Sequence, residues 1–69
     1  MLRTYTLLRP VFAYVQETRH VVQLPPDELI TLVGHRLGIG AAVWRGEYVW
    51  VFAQDVKENS VIAGGGYAR

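Results

Sequence analysis

The sequence predicts one small all-β domain, on three observations. Val, Ile, Thr, Tyr, Phe and Trp recur in short runs, and these residue types favour strands. Clusters of Gly, Pro, Asp and Glu separate the runs, as turns do. The chain has 69 residues, of which 51% are hydrophobic, and this length is enough for one domain with a small core.

The first two runs lie on either side of a polar turn. The first run spans residues 4–16 and contains Pro10, which has no backbone N–H to donate. We therefore expect Pro10 at a sheet edge or a bulge. Residues 17–19 form the polar turn, and residues 20–24 form the second run.

Two prolines mark the clearest turn, at residues 25–28. They fix φ and disfavour a helix through this point. A helix beginning at Pro26 is the alternative, since proline suits the first helical turn. We favour a strand over residues 28–34, because that run is short and rich in β-branched residues.

The next strand is expected over residues 39–44, after a loop at residues 35–38. Its residues Gly40, Ala41 and Ala42 are unusually small. Small residues allow a neighbouring backbone or a bulky side chain to approach closely.

A hairpin turn is expected at residues 45–47, where Gly46 supplies the positive φ that such turns need. A strand over residues 48–52 then follows. Since Trp44 and Tyr48 flank the turn, we expect them to lie near one another.

The C-terminal part is predicted to be short and irregular. Residues 53–59 are long enough for one 3₁₀ turn, and residues 60–63 form a last brief strand. Three consecutive glycines at 64–66 have a large ordering entropy and predict the end of the fold. The domain therefore spans residues 1–63, followed by a flexible tail over residues 64–69.

Several local segments resemble SH3-like domains. Residues 11–15 resemble the segment that opens these domains, and residues 24–33 resemble the turn and strand after their first long loop. Trp44 lies near the position of the tryptophan pair of that family, and residues 52–56 resemble its 3₁₀ turn. The resemblance covers residues 10–63 and implies a five-stranded SH3-like barrel with one 3₁₀ turn.

The groove that binds proline-rich peptides in that family is largely missing. The proline of the 3₁₀ turn corresponds to Ala53, and the following tyrosine corresponds to Asp55 or Val56. Only Tyr14 matches one of the two opening tyrosines. The resemblance therefore does not imply binding of proline-rich peptides.

Plasmid-type dihydrofolate reductase, a tetramer of small SH3-like barrels, offers an enzymatic alternative. Residues 49–52 correspond to its Val-Gln-Ile-Tyr pore segment, but Trp50 and Phe52 replace the glutamine and the tyrosine. These replacements remove the polar contacts to cofactor and substrate, so we do not expect this activity.

Composition excludes several other classes. The chain has no cysteine, which excludes disulfides and a thiolate zinc site. A net charge of +1 predicts no obligatory nucleic-acid partner. No run is long enough for a signal peptide or a membrane helix, so we expect a cytoplasmic protein with no membrane partner.

Catalysis is not expected. His20 and His35 are of the residue type most used in acid–base chemistry, but neither belongs to a triad or metal-ligand spacing. Asp27 and Glu28 are adjacent and would point to opposite faces, so they suit a turn better than an acid–base pair. No catalytic residue, metal or cofactor is predicted.

The aromatic residues are the best candidates for binding. Along the last hairpin Tyr48, Trp50 and Phe52 share one strand face, and Val49 and Val51 share the other. Both faces cannot enter one small core. Either the aromatic residues are exposed as an interaction surface, or they form the core and the valines are half exposed.

The candidate interface joins these aromatic residues to two arginines, with Arg19 as a further border residue. Its members are Tyr14, Trp44, Tyr48, Trp50, Phe52, Arg36 and Arg45. Tyr, Trp and Arg dominate interface hot spots. We expect a non-enzymatic protein-interaction module that forms a homo-oligomer. The alternative is a barrel that binds single-stranded nucleic acid by stacking of the bases on its aromatic side chains.

Overall fold

The computed structural model describes residues 2–63, which form seven strands and one short helix. The elements are β1 (Arg3–Leu7), β2 (Val11–Val15), β3 (His20–Leu24), β4 (Leu29–Arg36), β5 (Ile39–Trp44), β6 (Glu47–Phe52), α1 (Ala53–Asn59) and β7 (Ser60–Ile62). The predicted all-β class is confirmed. The predicted glycine-rich tail, residues 64–69, lies outside the described residues.

All seven strands belong to one antiparallel sheet, in the order β3-β2-β6-β5-β4-β1-β7. The prediction of a five-stranded barrel is therefore wrong. The sheet is open, and β3 and β7 are its edge strands.

The first predicted run divides at Pro10, which lies between two strands and not at a bulge within one. Residues 8–10 separate β1 from β2. Strand β1 pairs with β4 and β7, and β2 pairs with β3 and β6, so the two halves of the run lie in distant parts of the sheet. Proline at this position interrupts no ladder hydrogen bond.

The turn at residues 25–28 is confirmed, and so is a strand after it. This strand extends to Arg36, so the loop predicted at residues 35–38 is reduced to residues 37–38. Strand β4 occupies the segment for which a helix was the alternative. Asp27 has a φ of 69°, and its N–H donates to the Leu7 carbonyl over 2.8 Å. The Leu7 N–H donates to the Glu28 carbonyl over 2.9 Å, so this turn is tied to the end of β1.

Two tight hairpin turns join β4 to β5 and β5 to β6. Both central residues have positive φ in each turn: Leu37 and Gly38 in the first, Arg45 and Gly46 in the second. This is the backbone twist that two-residue hairpins require. The turn predicted at Gly46 is confirmed, and β6 begins one residue earlier than expected.

Residues 53–59 form an α-helix, so the prediction of a single 3₁₀ turn is wrong. Seven residues exceed the usual length of a 3₁₀ segment. Val56 anchors the helix in the core. Two side chains at the C-terminal end of the helix donate hydrogen bonds to carbonyl oxygens of its last turns. The Asn59 side chain donates to the Asp55 carbonyl over 2.9 Å, and the Ser60 hydroxyl donates to the Val56 carbonyl.

The core lies on one face of the sheet and beneath α1. Alternate residues of β2 are buried, as are Val49 and Val51 of β6. The buried hydrophobic residues are Leu7, Val11, Ala13, Val15, Leu24, Ile30, Ala42, Val49, Val51 and Val56, and Gly40 is buried as well. None of the described polar side chains is buried. We call this side of the sheet the core side and the opposite side the outer side.

An irregularity in β4 changes which residues face the core side. The register between β4 and β5 shifts between Leu32 and Gly34. Before the shift Leu32 lies opposite Ala42, and after it His35 lies opposite Gly40. Opposed residues share a face, so the bulge turns His35 toward the core side.

Within the described range no helix is both long and apolar enough to span a bilayer.

Candidate interaction surface

The two faces of β6 are unequal. Val49 and Val51 are 1% and 2% exposed, whereas Tyr48, Trp50 and Phe52 are 66%, 41% and 59% exposed. The structure thus decides between the two alternatives for this strand: the valines form the core and the aromatic side chains face solvent.

Strand β2 extends the exposed aromatic surface. Its inward residues are buried, and Phe12 and Tyr14 between them point outward. Tyr14 lies directly opposite Trp50 across the β2–β6 ladder. Aromatic pairs across strands stabilise a sheet and also form a continuous surface.

Strands β3 and β5 complete this surface. Val21 lies opposite Tyr14, and Ile39 lies opposite Phe52. Ala41 lies opposite Trp50, where its small side chain leaves room for the indole. A shallow apolar cleft of about 220 Å³ lies among these side chains. We call the surface the aromatic face, and its members are Phe12, Tyr14, Val21, Ile39, Tyr48, Trp50 and Phe52.

The aromatic face carries no charge. No outward position on the paired parts of β3, β2, β6 and β5 is ionic. The indole N–H of Trp50 donates to Oε1 of Gln16 over 3.1 Å, which orients the ring. Arg36 lies opposite Ile39 and therefore borders the face at one end.

Trp44 and Arg45 lie apart from the other predicted interface residues. Trp44 is on the core side of β5 and packs partly against the core. Tyr48 pairs with Val43, so the side chains of Trp44 and Tyr48 lie on opposite faces. The structure thus brings Tyr14, Tyr48, Trp50, Phe52 and Arg36 together, and it separates Trp44 and Arg45 from them.

Glu28 holds Trp44 and Arg45 in place. Its Oε1 accepts from Nε1 of Trp44 over 3.0 Å and from Nε of Arg45 over 2.9 Å, and its Oε2 accepts from a second guanidinium nitrogen over 2.9 Å. The guanidinium carbon lies 4.7 Å from the centre of the Trp44 ring. This Glu28 clamp joins the 25–28 turn to the β5–β6 hairpin.

The clamp changes the acidity of both charged partners. The hydrogen bond from Arg45 holds the pKa of Glu28 below its ordinary value of 4.5, and the bond from Trp44 acts in the same direction. The hydrogen bond to Glu28 raises the pKa of Arg45.

Phe12, Val21 and Ile39 belong to the aromatic face but are absent from the interface predicted from the sequence. A period-two reading of β2 would have found Phe12, because it alternates with buried neighbours as Tyr14 does. No local signal marks Val21 or Ile39, which join the face only through strand pairing. Arg19 is exposed in the β2–β3 turn with a φ of 61°.

The two histidines lie on different strands, His20 at the start of β3 and His35 near the end of β4. Within residues 2–63, no three potential metal ligands of the His, Asp or Glu type come together.

Comparison of the chain with protein-family models, with curated proteins and with solved structures found no match.

Proposed function

We propose that this protein is a non-enzymatic interaction module that self-associates through its aromatic face. The observation that supports this most directly is a contiguous, outward-facing apolar surface built from four neighbouring strands. Large exposed apolar patches on small proteins usually mark interaction sites. Tyr and Trp, which this face contains, contribute most of the binding energy in many interfaces.

A second copy of the chain suits this surface. When two identical faces meet across a two-fold axis, each charge can meet a like charge, and here no outward charge exists on the four strands to cause repulsion. Two sheets can also pack face to face, with their side chains interdigitated. The proposed assembly is therefore a dimer in which the aromatic faces of two copies pack together.

The aromatic face suits nucleic acid less well. Stacking on single strands is normally combined with a basic groove that follows the phosphates. Arg36 at the border is the one cation that the β4–β5 register places beside this face. The resemblance to SH3-like domains stays a prediction, and it adds no ligand to the proposal.

Light scattering on a size-exclusion column, run over a range of protein concentrations, tests self-association. We expect dimers at high micromolar concentration and monomers from Phe12→Glu, because each dimer would bury two unpaired carboxylates. Phe12 is 58% exposed, so this variant should remain folded.

Val61→Glu is the matched control. Val61 is 49% exposed and lies on β7, with three strands between it and β6. It introduces the same charge away from the aromatic face and should leave the dimer intact. A wild-type protein that stays monomeric at high micromolar concentration would contradict the proposal, and so would equal dissociation by both variants. A single-stranded oligonucleotide that binds the aromatic face with a steep salt dependence would favour the nucleic-acid alternative instead.

A further inference from the structure

A second concave site lies on the core side, away from the aromatic face. It is an open cleft of about 660 Å³ between β1, β4, α1 and β7. This volume is within the range of small-molecule sites, about 300–1,000 Å³. We call it the basic cleft, because Arg3, His35 and Lys57 line it and no acidic residue of the described chain does.

Three separate elements bring these basic side chains together. Arg3 lies opposite Leu32 and therefore faces the core side. His35 faces the same side only because of the bulge after Leu32, since an unbroken alternation would turn it outward. Lys57 comes from α1, which packs over this side of the sheet.

None of the three basic side chains is paired with a carboxylate of residues 2–63. The one ion pair among residues 2–63 joins Arg45 to Glu28, at the other hairpin. The permanent cations Arg3 and Lys57 attract anions to the cleft, and its partly enclosed shape strengthens that attraction relative to open water.

Part of the lining of the basic cleft is apolar. Leu32, Val56 and Ile62 line it, with Val56 buried in the core. A ligand that fits would therefore combine an anionic group at the rim with an apolar body toward these residues.

We propose that the basic cleft binds a small phosphomonoester with an apolar substituent. Arg3 and Lys57 supply two permanent positive charges, and a phosphomonoester carries about −1.5 to −2 at pH 7. Its three oxygens can accept charge-assisted hydrogen bonds from Arg3, Lys57 and the His35 ring together. This site is independent of self-association, because it uses the opposite side of the sheet.

Titration with phenyl phosphate, followed by NMR, tests the site. The chain has two histidines, so the ring resonances of His20 are an internal control for those of His35. We expect saturable shifts at His35 and none at His20. Phenol, which lacks the phosphate, should produce no saturable shift, and benzoate, with a single negative charge, should bind more weakly than phenyl phosphate.

Charge-neutralising variants identify the residues responsible. Arg3→Gln and Lys57→Gln should each weaken phenyl phosphate binding by about tenfold, the loss expected for one charge-assisted hydrogen bond. Arg9→Gln removes the same charge from the exposed segment between β1 and β2, outside the cleft, and should leave the affinity unchanged. Both cleft positions are exposed, so folding should survive.

Three results would overturn the proposal: shifts confined to the aromatic face, equal binding of benzoate and phenyl phosphate, or equal weakening by Arg9→Gln and Arg3→Gln. Repeating the titration on the Phe12→Glu variant separates the two proposals. Binding should persist in that variant whether or not the wild-type protein dimerises.

Discussion

Gly40 shows how closely the strands meet on the core side. A Cβ atom there would lie 3.1 Å from Cδ2 of Leu32 and 3.4 Å from Cγ2 of Val51. The small residues of β5 predict a close approach of neighbouring groups, and at Gly40 this prediction is confirmed. A larger side chain would need both neighbours to move within a packed core.

Gly40→Val should therefore destabilise the fold. We expect a loss of about 1–3 kcal/mol in the free energy of unfolding, as overpacked cores show. Urea unfolding followed by circular dichroism measures it. Gly34→Ala is the control, because a Cβ there meets no atom within 4 Å. This control should be neutral or should stabilise by up to about 1 kcal/mol by restricting the unfolded chain, and an equal loss in both variants would contradict the packing argument.

Glu28 makes the clamp sensitive to pH. Its pKa is lower in the folded protein, so the unfolded chain binds protons more readily as the pH falls. The stability that the carboxylate contributes is thus present above its unfolded pKa and is lost as the pH falls through its folded pKa.

Glu28→Gln should lower the melting temperature at pH 7, and the difference from wild type should shrink as the pH falls below about 4, near the ordinary pKa of Glu. Melting curves across acidic pH measure this difference. Glu17→Gln removes an exposed carboxylate in the β2–β3 turn and is the control, with little expected effect at any pH. A difference in melting temperature that stays constant with pH would show that Glu28 contributes to stability through its shape and not through its charge.

Among the elements, β6 contributes to both the core side and the outer side of the sheet. Its inward valines complete the core, and its outward aromatic residues form the centre of the aromatic face. Substitution of an inward valine should therefore weaken folding, whereas substitution of an outward aromatic residue should weaken self-association.

Trp50→Ala should stay folded and lose self-association. Trp50 is 41% exposed, so we expect a smaller loss of stability than the roughly 3–5 kcal/mol of a buried tryptophan. Val51→Ala is the matched variant: it removes two buried methyl groups, at about 0.8 kcal/mol each, and should weaken folding while the folded fraction still dimerises. Thermal unfolding and light scattering on both variants separate these effects. Complete unfolding of Trp50→Ala would show that the indole is part of the core.

For the molecule as a whole, we propose self-association through the aromatic face on the outer side and ligand binding in the basic cleft on the core side. Because the two sites lie on opposite sides of the sheet, a substitution can remove one site without changing the other. This arrangement also predicts that the environment of Trp50 depends on protein concentration, whereas that of Trp44 does not, because Trp44 is packed against the core and held by Glu28.

In the Trp44→Phe variant, whose one remaining tryptophan is Trp50, fluorescence emission should move to shorter wavelength as the concentration rises. Burial of the indole in the dimer removes it from water. The Phe12→Glu substitution added to this variant should abolish the shift. Emission that is constant across the concentration range would contradict burial of Trp50 in an interface.

Much of the fold could be predicted from local patterns. β-branched and aromatic runs located the strands, and prolines and glycines located the turns at residues 25–28 and at Gly46. The strand count and the closed barrel were wrong, because Pro10 separates β2 from β1, and the partners of β1 are remote in sequence. Similarly, a short polar segment did not reveal that Val56 would anchor a full α-helix in the core.

By itself the sequence determined that β6 has an aromatic side and a valine side, since side chains alternate along any strand. Only the tertiary structure decided which side faces water, because burial depends on the elements packed over the sheet. It also decided that Trp44 and Arg45 bind Glu28 and do not join the aromatic face. The tertiary structure likewise places Arg3, His35 and Lys57 around one cleft. Such contacts join residues far apart in the chain, and strand pairing, with the bulge in β4, sets their register.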